Sequence, residues 1–101
     1  MADTIEIVTI RLREGVSDEA FLAENRKMES EYLSKLQGFL TRDTARADDG
    51  SYMVILHWER PEDAQASMDR FEAEPKTQDF TALLDMSTFK MTRYTQVDRF
   101  N

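Results

Sequence analysis

Tyr52-Met53-Val54-Ile55-Leu56-His57-Trp58, followed by Glu59-Arg60-Pro61, is the stretch on which the reading of this chain turns. Its seven residues include no Asp, Glu, Lys or Arg. A strand covered on one side alternates apolar and polar residues, whereas this one is apolar at almost every position. In extended backbone Tyr52, Val54, Leu56 and Trp58 point one way, and Met53, Ile55 and His57 the other. Both faces need cover, so the stretch reads as a central strand. Glu59-Arg60-Pro61 stops it, and Pro61 suits the first turn of a helix.

Working outward, Asp48-Asp49-Gly50-Ser51 carries an Asp-Gly hairpin signal, which pairs the central strand with Phe39 to Ala47. That partner holds Arg42, Asp43 and Arg46, the charge of a sheet edge. Thr4 to Leu12 is another strand, with Ile5, Ile7 and Thr9 on one face and Val8, Ile10 and Leu12 on the other. Ser17 or Asp18 can cap a helix over Asp18 to Gln37, whose apolar stripe includes Phe21, Leu22, Met28, Tyr32, Leu33 and Leu36. Gly38 can close it in the left-handed conformation. Glu62 to Ala73 predicts a second helix ended by Pro75, Thr77 to Leu84 a short third one, and Phe89 to Val97 the last strand. The order is that of an α+β, ferredoxin-like βαββαβ unit with a four-stranded antiparallel sheet. The first and third strands belong in its centre. Helices cover one face only, so apolar residues remain on the other, and a second copy packing sheet against sheet is the simplest cover.

Composition sets the outer bounds. At 101 residues there is room for one domain with one core, to which oligomerisation is a natural supplement. Twenty acidic against thirteen basic residues argue against a nucleic-acid or anionic membrane surface. The absence of cysteine excludes disulfides, thiolate nucleophiles and thiolate metal sites, and suits the cytoplasm. The opening MADTIEIVTI lacks a basic segment followed by an apolar run, so no signal peptide is expected.

Gly38-Phe39 after the first helix, and Trp58-Glu59-Arg60-Pro61-Glu62 closing the apolar strand, resemble the antibiotic biosynthesis monooxygenase-like proteins. These are small dimeric α+β barrels, and the likeness spans a single domain over residues 4–98. It implies a homodimer and, as in some members, cofactor-free oxygenation of quinols or aromatic polyketides. Other members degrade haem with an Asn on the first strand, a Trp in the second helix and a His just beyond it. Val8, Ser67-Met68 and Thr77 stand near those positions here, so no haem chemistry is expected.

The residues that can carry chemistry are few. His57, the only histidine, can act as a general base near neutral pH, or pack at a dimer face. Trp58 can stack on an aromatic ligand or anchor the core. Asn25, Glu29 and Tyr32 follow an i, i+4, i+7 spacing that puts an amide, a carboxylate and a phenol on one helix face. In a cleft, a desolvated Glu29 can take a substrate proton; otherwise the pair Asn25 and Glu29 sits at a wet margin with Tyr32 in the core. Arg42, Arg46 and Arg93 lie on strands, where one can neutralise an oxyanion or all can bridge to acids. Met28, Met53, Met68, Met86 and Met91 read as core filler. No metal site or phosphate loop is present in the pattern. The resulting expectation is a cytoplasmic homodimer with no cofactor, a monooxygenase acting on a small aromatic or quinol. In it His57 and Glu29 are catalytic, and Asn25, Tyr32, Trp58 and Arg42 bind substrate. The alternatives are a non-catalytic small-molecule-binding or stress-associated dimer and an isomerase of the muconolactone type.

Overall fold

A computed structural model describes residues 2–101. The elements are β1 (Thr4–Leu12), α1 (Asp18–Glu31), β2 (Phe39–Arg46), β3 (Tyr52–Trp58), α2 (Pro61–Phe71), α3 (Gln78–Thr81) and β4 (Leu84–Thr95). Single 3-10 turns at Leu33–Lys35 and Pro75–Thr77 follow α1 and precede α3. The four strands form one antiparallel sheet in the order β2-β3-β1-β4. The fold is therefore ferredoxin-like α+β, with the two apolar strands in the centre.

Side-chain parity divides the sheet. Ile10 of β1 and Tyr52, Val54, Leu56 and Trp58 of β3 are buried in one cluster with Phe21, Met28, Leu33, Ala64 and Phe80 from the helical side. Ile5, Ile7, Ile55 and His57, at the intervening positions, remain half-buried, and Met53 is 40% exposed. The helices thus cover one face and leave the other free, as the strand pattern requires. Among the described residues no helix is long and apolar enough to cross a membrane.

Several boundaries differ from the sequence expectation. Helix α1 begins as expected, with Ser17 Oγ accepting the Ala20 N–H at 3.1 Å, but ends at Glu31 instead of Gln37. Tyr32 leaves the helical region (φ −129°, ψ −66°) and packs edge-on against Phe71, its ring 6.4 Å away. Helix α2 stops at Phe71, short of Ala73, and Thr77 Oγ1 donates to the freed Phe71 carbonyl at 2.6 Å. Strand β4 starts at Leu84, five residues before Phe89, and shortens the expected third helix. Asp85-Met86-Ser87-Thr88 has turn chemistry, with Asp85 Oδ1 accepting from the Ser87 N–H at 3.1 Å. The strand absorbs that turn through the irregularity opposite Thr9 and Arg11. The Met residues also divide: Met28 is buried, whereas Met53 and Met86 are large exposed side chains rather than core filler. Gly38 takes φ +80°, and a side chain there would collide with that of Asp63.

Candidate functional site

Between the covered sheet face and the helices lies a cavity of about 420 Å³. Its walls are mainly apolar, with Val8 and Ile10 from β1, Val54 and Leu56 from β3, and Met28 and Phe80 from the helical layer. Strand register puts charge on this apolar floor. Arg42 of β2 pairs with Leu56 of β3, Leu56 with Glu6 of β1, and Glu6 with Arg93 of β4. Direct cross-strand partners point to the same face, so one row runs guanidinium, isobutyl, carboxylate, guanidinium across the sheet. Arg42, Leu56 and Glu6 of this row line the cavity. With strands about 4.8 Å apart, Arg42 and Glu6 stand about 10 Å from each other at the backbone.

Each buried charge is held by neighbours. The Arg42 side chain, 5% exposed, donates from Nη1 to Glu29 Oε2 at 2.7 Å and to Asn25 Oδ1 at 2.5 Å. Its guanidinium sits 5.6 Å from the centre of the Phe80 ring. Burial pulls its pKa below the usual arginine value, opposed by the bond and charge of Glu29. Asn25 Nδ2 donates in turn to Thr44 Oγ1 at 3.4 Å. At the other end, Glu6 accepts the Trp58 indole N–H at 2.9 Å and the Arg93 Nη2 and Nε groups at 2.7 and 3.2 Å. Arg93 Nη1 reaches on to Gln65 of α2 at 2.9 Å.

Of the six residues singled out in the sequence, only Arg42 lines the cavity. Asn25 and Glu29 share the expected helix face, but they grip Arg42 rather than the cavity. Glu29 is thus a partly exposed, ion-paired carboxylate rather than the desolvated one expected of a cleft. Tyr32 falls outside this group because α1 has already ended. Its ring is buried, its hydroxyl has no hydrogen-bond partner among the described residues, and burial raises its pKa. Trp58 is fully buried, meets Phe39 edge-on at 5.6 Å and supports Glu6, which is the core-anchor alternative. His57 lies on the helix-free face, where Nδ1 is 2.8 Å from Asp3 Oδ2. It therefore shares no site with Glu29, because odd and even positions of β3 face opposite sides of the sheet. Arg46 and Arg93 are engaged by Asp18 and Glu6, the acid-bridging alternative. Glu6 itself was missed. Its one sequence signal is a lone acid between the apolar residues Ile5 and Ile7.

Fold and cavity together define a ferredoxin-like α+β unit with a ligand-sized chamber between sheet and helices. No protein-family model matches the chain, and no curated protein matches it in sequence. Solved structures do match over nearly its whole length. SnoaB, a cofactor-independent oxygenase from Streptomyces nogalater, gives a TM-score of 0.77 at 14% identity, covering 98% of this chain and 97% of that one. A candidate antibiotic biosynthesis monooxygenase from Chloroflexus aurantiacus gives 0.68 at 19% identity, with 98% and 97% covered. A dimeric ferredoxin-like protein from an uncultured marine organism gives 0.65 at 8% identity, with 100% and 93% covered. The chain has the fold of the antibiotic biosynthesis monooxygenase proteins.

Proposed function

We propose that this protein is a cofactor-independent monooxygenase acting on a small aromatic or quinol substrate, and that it works as a homodimer. The observation that supports the reading best is the apolar cavity whose floor carries one buried guanidinium and one buried carboxylate. In the proposed reaction Glu6 takes a proton from an activated CH2 group of the substrate, or from the hydroxyl of a quinol whose neighbouring ring C–H is then oxygenated. Arg42 stabilises the negative charge that develops on the conjugated oxygen. The anion passes an electron to dioxygen, and the radical pair closes a C–O bond. The resulting peroxide anion recovers the proton from Glu6, and the hydroperoxide loses water together with the remaining hydrogen of that carbon, leaving a carbonyl. Glu29 and Asn25 position Arg42, and Trp58 and Arg93 position Glu6. His57 belongs to the surface between copies. The apolar helix-free face of β1 and β3 supports the homodimer, as does the fold shared with a dimeric ferredoxin-like protein.

A second reading is favoured by one observation: both carboxylates nearest the cavity floor are already ion-paired. A protein that binds an aromatic molecule without turning it over needs no free base. Oxygen uptake across a panel of hydroquinones and fused-ring phenols separates the two. Uptake that requires Glu6 supports the oxygenase. Ligand-induced thermal stabilisation with no uptake supports the binding protein.

A further inference from the structure

Strand register orders the helix-free face as it does the chamber floor. One outward row runs Asp43, Ile55, Ile7 and Thr92 across β2, β3, β1 and β4, and the next runs Ala45, Met53, Thr9 and Lys90. In these rows the central strands bring three apolar side chains and one threonine. Each edge strand brings one charge, and the two charges have opposite signs. Asp43 and Lys90 are both exposed. Among the described residues neither has an ion-pair partner, whereas Arg11, Asp3 and Arg99 at the margins of the face are paired with neighbours. Three strand spacings, about 14 Å, separate the two edges, so Asp43 and Lys90 cannot meet within one chain.

Between two copies they can. A face shared by two identical chains obeys a twofold axis, and every contact across it occurs twice. Sheets stacked about 10 Å apart leave two simple directions for that axis. An axis across the strands lays each edge strand over its own copy, so Asp43 faces Asp43 and Lys90 faces Lys90. Such like-charge contacts are strongly disfavoured at an interface. An axis along the strands lays β2 over β4 of the second copy. Asp43 then lies one row, about 7 Å along the strand, from the opposing Lys90, a step within reach of the flexible four-carbon lysine stem. We propose that the helix-free face docks a second copy with β2 over the opposing β4, and that two symmetry-related Asp43–Lys90 ion pairs at its rim fix this orientation. Ile7, Ile55 and Met53 form the apolar centre that the charged rim encloses. The proposal rests on the homodimer reading and adds which way round the copies meet.

The test is charge reversal in the full chain, read by sedimentation equilibrium. Asp43→Lys makes both edges positive, and Lys90→Asp makes both negative. In the proposed orientation each variant alone sets like charges together twice, and its dimer should dissociate about 10- to 100-fold more readily than the parent. An equimolar mixture of the two restores both pairs and should associate like the parent. The chain carrying both changes should do the same, which separates charge from any effect of the substitutions on folding. The deficit of each single variant should shrink in 1 M salt, where charges are screened beyond about 3 Å. With the axis across the strands, Asp43→Lys only exchanges one like pair for another, and Asp43→Asn relieves one. Single reversals that associate as tightly as the parent, a doubly changed chain as weak as the single variants, or tighter association of Asp43→Asn would each overturn the proposal. If the parent dimerises and the reversals leave it unchanged, the homodimer stands and the orientation is wrong. A monomeric parent removes both.

Discussion

On its helix-covered face β1 presents Thr4, Glu6, Val8 and Ile10; on its helix-free face it presents Ile5, Ile7 and Thr9. β3 divides in the same way, with Leu56 and Trp58 inward and Ile55 and His57 outward. The inward face has the buried ions, Arg42 held by Glu29 and Asn25, and Glu6 by Trp58 and Arg93. On β1 and β3 the outward face is mostly apolar, with the His57–Asp3 pair at one end and Asp43 and Lys90 beside it on the edge strands. The contrast reverses the simple rule that apolar groups go in and charges go out. Ions are tolerated where helices and neighbouring strands supply fixed hydrogen bonds. An apolar sheet surface is tolerated where another surface covers it.

This division can be broken one face at a time. The largest effect is expected at Glu6. Glu6→Gln should lower oxygen uptake with an accepted substrate by about 10²–10⁴-fold, the usual worth of a general base. Sizing with light scattering should show its assembly unchanged, because the outward face is untouched. A smaller loss would reassign the base.

The reciprocal change is Ile7→Lys. Ile7 stands on the outward side between Ile55 of β3 and Thr92 of β4, with no acid directly opposite. A lysine buried there without a partner costs about 3–5 kcal/mol, enough to dissociate the proposed homodimer. Light scattering should move from twice the chain mass of 11.8 kDa to once that mass. A monomer before mutation would remove the assembly part of the proposal.

Trp58→Phe sharpens the comparison on the inward side. It keeps an aromatic ring but removes the N–H that Glu6 accepts. About 1–3 kcal/mol of stability should be lost in urea titration, the cost of leaving a buried acceptor short of a donor.

The smallest effect concerns Tyr52, at the end of β3. Burial, the Tyr52 hydroxyl bond to Asp18 and the Asp18 charge push its pKa up to about 12 from 10.0. The folded state therefore favours the protonated phenol. The associated stability is fully present below pH 10 and is lost as pH rises through about 12. Tyr52→Phe should flatten the alkaline decline between those limits, as followed by thermal melting against pH.

The fold was legible because its decisive signals are local. An unbroken apolar run and an Asp-Gly turn place β3 and its hairpin, and side-chain parity assigns both faces of the sheet. Boundaries failed where local chemistry conflicts with distant packing. Asp85-Met86-Ser87-Thr88 looks like a turn in isolation and becomes strand only because β1 supplies a partner for Leu84 and Asp85. The candidate site was half legible. Helical spacing brought Asn25 and Glu29 together, yet nothing in that spacing shows that Arg42 is what they hold. Glu6 had only a weak local signal, a lone acid between Ile5 and Ile7, since its meaning depends on Arg93, 87 residues away. His57 was read for its chemistry, although the same parity that exposes Met53 turns it away from the cavity.

The charged row across the sheet has one more consequence, for folding. Shifting β2 by one residue against β3 would turn Arg42 outward and bring Thr41 or Asp43 inward, because strand side chains alternate with period two. Arg42 would lose Glu29 and Asn25, and an unmatched cation would stand on the apolar outer surface. A slipped hairpin therefore both lacks the chamber's guanidinium and spoils the surface on which copies would meet. The ion pairs act as a register lock, so that correct strand alignment is the step that completes the chamber and keeps an unmatched cation off the outer face.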